Sequence, residues 1–321
     1  MPNYLQTVED VYAAAARRPD QNLCCTNSPV WRLPDLVIPS KMLAMNYGCG
    51  STVDPRDLRK DDTVLYVGVG GGLEALQFAY FTRRLGSVIA VDPVAEMREQ
   101  ARRNFAEAAR LNSWFRTDFI DLRDGNALEL RVTASSVSVA AQNCLFNVFK
   151  EADLSRALGE VERVLKPGGF FATSDPITPT PLPEAFRADE IARAKCLSGC
   201  QTFDDYLAAI TNAGFGRVEV RARFPYRYLT PHEFPGLPAP VMLESMEVVA
   251  YKVPHGRDGP EIFAGCTATY MGPDASANIG GAAFPRGVPM AISDATAKRL
   301  ARRGDIVLTP PTYHARGGGC C

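Results

Sequence analysis

One stretch, Thr63 to Gly72 (TVLYVGVGGG), narrows what this chain can fold into more than any other. An apolar run, Val64, Leu65 and Val67, breaks into glycines at 68, 70, 71 and 72, and a segment of helical character begins at Leu73. The order is strand, glycine loop, helix. Glycines permit positive φ and let the backbone approach a ligand closely, while the helix start behind them offers free N–H groups. A second apolar run, Ser87 to Val91, ends in Asp92, where a carboxylate can accept hydrogen bonds from both hydroxyls of a ribose. Loop and acid together read as a nucleotide-binding strand pair. The alternative is a tight αβ turn with an aspartate that caps a helix.

From residue 61 onward apolar runs alternate with helical stretches, which predicts an α/β fold with a doubly wound parallel sheet. Strands are expected near 63–68, 87–92, 115–120, 136–141 and 169–174, with helices near 73–84, 94–111 and 151–165. Ligands in such sheets bind at the carboxyl edge of the strands, so Gly68, Asp92, Asn126 and Asn143–Cys144 are expected to converge. Residues 1–60 read as an N-terminal cap with a helix over 4–17, a cysteine loop at Cys24–Cys25 and a proline-punctuated segment that ends near Asn46–Gly50. Residues 61–255 read as the main domain, with an insertion at about 176–215. A proline-rich connector (PITPTPLP) leads there to a helix from about 184 that carries Cys196 and Cys200, whose spacing of four would place both thiols on one face. A helix over 203–213 and antiparallel strands at 217–223 and 244–252 are expected to finish the sheet. Residues 256–321 read as a small C-terminal α+β domain with one helix near 293–303 and a GGGCC tail.

Composition excludes several classes of function. A formal net charge of -1 with interspersed signs leaves no basic stripe for nucleic acid. No apolar run approaches the ~20 residues that a membrane helix needs, and the first residues lack a signal pattern, so a cytoplasmic, reducing location is expected. Nine cysteines, an odd number, then read as reactive or thiophile-binding thiols rather than a disulfide framework. Two pairs are vicinal, Cys24–Cys25 and Cys320–Cys321, and adjacent Cα atoms lie only ~3.8 Å apart against the ~4.4–6.8 Å of an unstrained disulfide. Each such pair should prefer other partners.

The loop, the acid, Asn126–Ala127 and VLKPGGFFATSDP at 164–176 together resemble class I S-adenosylmethionine-dependent methyltransferases. YGCG at 47–50, QNCLFN at 142–147 and KCLSG at 195–199 resemble cysteine motifs of the arsenite methyltransferase family, and CCT at 24–26 with the terminal TYHARGGGCC resembles its branch associated with arsenosugar biosynthesis. The resemblance implies a Rossmann-like methyltransferase fold that methylates trivalent arsenic (arsenite, methylarsenite), in arsenic detoxification or arsenosugar biosynthesis. It implies that Cys49, Cys144 and Cys196 hold the arsenic. Gly68, Gly70, Gly72, Asp92, Asn126, Ala127 and Asn143 would hold the cofactor, with Tyr47 facing its sulfonium. Two positions depart from the family pattern: Tyr66 stands where an acid usually precedes the first glycine, and Asn126 stands at the adenine acid.

The chemistry follows from softness. Thiolates select thiophilic centres, and trivalent arsenic held by three sulfurs keeps a lone pair on its open side as the nucleophile. The methyl donor is already activated, so positioning rather than a general base is required. Methylation oxidises arsenic formally by two electrons, which calls for a thiol reductant, thioredoxin or glutathione. Cys24, Cys25, Cys320 and Cys321 are the candidates for thiol–disulfide exchange. Other readings treat the cysteines as small buried hydrophobes, the chain as a thiophile-binding sensor on a degenerate methyltransferase fold, or its substrate as another small molecule. A zinc site lacks a CxxC pair, and His232, His255 and His314 have no ligand-like spacing.

Overall fold

The computed structural model describes residues 4–20, 23, 31–256 and 259–310. Helix α1 (Tyr4–Arg17), free of glycine and proline, buries Tyr4, Val8, Ala15 and Ala16 along one face. A second, short helix, α2 (Ser40–Ala44), precedes β1 (Val64–Val67), every residue of which is buried. There follow α3 (Leu73–Thr82), β2 (Val88–Asp92), α4 (Ala95–Leu111), β3 (Ile120–Asp124), β4 (Val137–Asn143), α5 (Glu151–Val164) and β5 (Leu165–Thr178). The chain continues through α6 (Glu184–Arg187), α7 (Glu190–Ala194), β6 (Gln201–Thr202), α8 (Phe203–Asn212), β7 (Arg217–Leu229), β8 (Val241–Tyr251) and β9 (Glu261–Phe263).

These strands form a nine-stranded sheet in the order β3-β2-β1-β4-β5-β8-β7-β9, with β6 paired to the end of β5. Pairing from β3 to β5 is parallel, and β8 runs antiparallel to both β5 and β7. The parallel half is the doubly wound sheet that the alternating pattern indicated, and the whole is the class I methyltransferase fold that the resemblance implied. Parallel strands covered on both faces read as continuous apolar runs, which is why β1 and β4 were legible. Successive residues of β1 face opposite layers. Leu65 and Val67 pack in a cluster with Leu158, Phe171 and Ile210, whereas Val64 and Tyr66 pack with Met42, Val53, Leu76 and Phe78.

Three expectations change. The third strand lies at 120–124, not 115–120, because Phe115 and Phe119 are core side chains ahead of it, with Phe115 stacked edge to face on both Phe119 and Phe105. As the sheet's edge strand, β3 is only partly buried and carries Asp121, Arg123 and Asp124, so it had no apolar signature. The single helix from 184 is two short ones. Asp189 caps the second by accepting from Ala192 N at 2.9 Å, and that helix ends at Ala194. Cys196 and Cys200 therefore lie beyond a helix and share no helical face. The C-terminal segment rejoins the main sheet through β9, with Arg217 stacked over Tyr251 and Phe263. Beyond it, β10 (Thr267–Tyr270), β13 (Pro289–Ala291) and β14 (Ile306–Thr309) make a three-stranded sheet, β11 (Ser276–Ile279) and β12 (Ala282–Pro285) a hairpin, and α9 (Asp294–Leu300) a helix. Their own small core holds Ala268, Tyr270, Phe284, Ile292 and Leu300. Among the described residues no helix is long and apolar enough to cross a membrane.

Candidate functional site

Strand order reverses between β1 and β4, and a crevice opens there at the carboxyl ends of the strands. It widens into a cavity with an empty volume of about 1020 Å³. Gly68–Gly71 form its floor, Asp92–Val94 and Gly125–Ala127 one wall, and Asn143–Leu145 the other. Leu5, Val8, Glu9 and Tyr12 of α1, with Met45–Gly48, close it from above. Tyr47, Gly68, Gly70, Asp92, Asn126, Ala127 and Asn143 thus share one cavity, although they come from five separate loops and strand ends.

Gly72 does not line the cavity, contrary to its grouping with the cofactor residues. It adopts φ 89° at the start of α3, and a Cβ there would sit 2.6 Å from the Phe105 ring. Its role is packing. Gly70, at φ 51°, faces open space instead, with no atom within 4 Å of a built Cβ.

Asp92 is held at both oxygens: Val94 N donates to Oδ1 at 2.9 Å and Gly70 N to Oδ2 at 3.4 Å. Burial pushes its carboxyl up to about 6, against the opposing effect of those backbone donors. Asn126 Oδ1 accepts from Leu128 N at 2.9 Å, which leaves one lone pair for a ligand donor. The Tyr47 hydroxyl donates to Ala15 O at 3.4 Å and accepts from Asp20 N at 3.3 Å, so its ring is pinned beneath α1 and edge-on to Tyr12.

The cysteines occupy the adjoining patch at the ends of β4 and β5. Cys49 is brought there by its flanking glycines. A Cβ on Gly48 would lie 2.6 Å from Asn143 Nδ2 and one on Gly50 2.5 Å from Ser174 Oγ. Cys49 N donates to Asn143 Oδ1 at 3.0 Å, and its Sγ lies 3.4 Å from Ser174 Oγ. Cys144 N donates to Ser174 O at 2.7 Å, and Cys196 Sγ donates to Cys144 O at 2.7 Å. Cys144 and Cys196 both hold φ 56°, a left-handed conformation that is costly for a residue with a Cβ and concentrates at functional sites. Cys144 alone of the three lines the cavity, and all three are buried. Their thiols are engaged with neighbouring oxygens, and among the described residues no three His, Cys, Asp or Glu side chains stand close enough together to hold a metal ion. The patch is a shared neighbourhood, not a preformed three-sulfur cage. Cys200 Sγ donates to Cys196 O at 3.2 Å and faces a second cavity between α5, α7 and α8. Cys24, Cys25, Cys320 and Cys321 lie outside the described residues.

Two buried carboxylates escaped the sequence reading. Glu74, on the first turn of α3, accepts from Thr52 N at 2.9 Å, Thr52 Oγ1 at 2.7 Å and Tyr66 OH at 2.9 Å. Asp175, at the end of β5, accepts from Gln142, Tyr206 and Thr173, and burial pushes its carboxyl up to about 6. An acid inside an apolar helix was the available sign for Glu74, since seven other residues of α3 are buried beside it. Asp175 stands in VLKPGGFFATSDP, just beyond the strand expected at 169–174.

Residues 65–173 match the family described as "Methyltransferase domain". Beyond the class, the chain resembles arsenite methyltransferases. It is 32% identical over 176 residues to one from Halobacterium salinarum, covering 55% of this chain and 43% of the relative. It is 31% identical over 199 residues to one from Aquipseudomonas alcaligenes, covering 60% and 55%. The chain thus spans about half the length of the curated relatives it matches. An arsenic (III) S-adenosylmethionine methyltransferase from Chlamydomonas reinhardtii shares the fold, with a TM-score of 0.59 at 20% identity over 87% of this chain and 95% of that one.

The cavity fits the S-adenosyl cofactor of this fold class. Gly70 leaves open space at the cradle, and the Asp92 carboxylate has acceptor capacity beyond its two backbone donors.

Proposed function

We propose that this chain transfers a methyl group from S-adenosylmethionine to trivalent arsenic bound by Cys49, Cys144 and Cys196. The observation that carries the reading is the pair of left-handed cysteines. Cys144 and Cys196 both hold φ 56°, are joined at 2.7 Å through a thiol and a carbonyl, and stand beside the cavity, which Cys144 lines. Nothing in apolar packing requires a strained backbone at two cysteines.

Asp92 would take the ribose hydroxyls, and Asn126 and Ala127 would meet the adenine. Bound there, the cofactor supplies an activated sulfonium methyl. Cys144, the cysteine on the cavity wall, would hold the arsenic with its lone pair toward that methyl, and Cys49 and Cys196 would complete its coordination from behind. The covering face of α1 excludes water from the transfer. Each transfer leaves arsenic formally oxidised, so a thiol reductant of the thioredoxin or glutathione class would restore the trivalent state. Detoxification or arsenosugar synthesis is the biological setting this implies.

The test incubates the protein with arsenite, S-adenosylmethionine and thiol, and counts methylated arsenic species after separation. Product in proportion to cofactor consumed supports the reading. Arsenite binding without cofactor binding would identify a sensor. The engagement of all three thiols with neighbouring oxygens favours one rival, a methyltransferase for another small molecule, which would consume cofactor without arsenite.

A further inference from the structure

Tyr66 leaves the glycine loop without the acid expected before its first glycine. The tertiary structure returns an acid to that place from another element. Glu74 comes from the first turn of α3, lines the cavity with Tyr66, Gly68 and Asn143, and is only 4% exposed. Its donors hold it from three directions: Thr52 through N and Oγ1, and Tyr66 through its hydroxyl at 2.9 Å. Asn143 lines the same cavity. All of these donors are neutral, and among the described residues no Lys, Arg or His forms an ion pair with Glu74. Desolvation by burial, the largest influence, raises its carboxyl above the usual range. A carboxylate so placed is costly without a countercharge, and a cation delivered by a ligand would supply one.

The side of the sheet says which part of a ligand that is. Asp92 ends β2, on one flank of β1, whereas Glu74 is bonded to Tyr66 of β1 itself and lines the cavity with Asn143, at the end of β4 on the other flank. A nucleoside anchored at Asp92 therefore extends its 5′ substituent toward Glu74. We propose that Glu74, oriented by Tyr66 and Thr52, binds the α-ammonium group of the aminoacyl end of an S-adenosyl compound. The inference rests on the cofactor reading of this cavity and assigns that cavity's second charged contact.

Calorimetric titration of three ligands separates the possibilities: S-adenosylmethionine, S-adenosylhomocysteine and 5′-methylthioadenosine, which lacks the amino acid. Glu74→Gln is expected to weaken the first two alike, on the order of 10- to 100-fold, and to leave the third unchanged. Equal losses for all three, or none, would overturn the assignment, and loss confined to S-adenosylmethionine would reassign Glu74 to the sulfonium. Should the variant not fold, the wild-type protein decides: S-adenosylhomocysteine should bind at least about 10-fold more tightly than its des-amino analogue. Equal affinity there refutes the contact. Failure of all adenosyl ligands to bind wild type would instead remove the cofactor reading itself.

Discussion

The two halves of the candidate site are prepared to different degrees. On the nucleoside side the geometry is already in place: Gly68 and Gly70 hold positive φ, and backbone donors fix both oxygens of Asp92. On the cysteine side the residues are neighbours, but each thiol is engaged with an oxygen: Ser174 for Cys49, Tyr226 for Cys144 and the carbonyl of Cys144 for Cys196. A hydrogen-bonding site can be built from backbone groups that the fold must satisfy anyway. A soft three-sulfur site gains its main interaction only when a thiophilic centre arrives, so the thiols settle meanwhile on weak hydrogen bonds. On the proposed function, substrate turns the thiols and the cofactor finds its contacts waiting.

The largest effect should come from breaking the cysteine side. Cys49→Ser, Cys144→Ser and Cys196→Ser should each lower arsenite methylation by about 1000-fold or more, nearly as far as the triple change, because ligands that work as a unit are not additive. Cofactor affinity should stay within a few-fold of wild type in calorimetry. A single variant with near-normal activity on arsenite would break the trio, and Cys200 would be the next residue to test.

On the nucleoside side the expected effect is smaller and reversed in kind. Asp92→Ala should weaken S-adenosylmethionine binding by about 1.5–3 kcal/mol while arsenite binding survives. Unchanged cofactor affinity would remove Asp92 from the site.

The contrast between two glycines sharpens the boundary of that side. Gly72→Ala should cost about 1–3 kcal/mol of stability in urea unfolding, from its left-handed φ and the Phe105 ring, with little change in cofactor affinity once folded. Gly70→Ala should do the opposite, weakening the cofactor more than the fold. Matching profiles for the two would dissolve the distinction.

The smallest effect is a dependence on pH. Because the carboxyl of Asp92 titrates near 6 when folded, against 3.8 as its ordinary value, its contribution to stability is fully present below about pH 4 and is lost as pH rises through 6. Between pH 4 and 7.5 the wild type should lose about 1–2 kcal/mol relative to Asp92→Asn, read from urea unfolding at both values. A constant difference would show that burial does not govern this group.

The sequence by itself determined the central strands β1 and β4 and the glycines of the loop between β1 and α3. Burial on both faces of β1 and β4 leaves continuous apolar runs, and the positive φ values at 68 and 70 demand glycine, so both are written locally. Cys49, Cys144 and Cys196 were singled out by motif, but their spacing in the chain says nothing about their distance in space. The crossing of β1, β4 and β5, and the close approach at Gly48 and Gly50, decided that they adjoin. The third strand was missed because an edge strand is half exposed and the rings of Phe115 and Phe119 supplied a stronger apolar signal nearby. Glu74 was missed for the same kind of reason. Inside the apolar run of α3 its carboxylate has no local explanation, and only the fold brings Thr52, Tyr66 and the cavity wall around it, because a buried charge takes its meaning from partners distant in sequence.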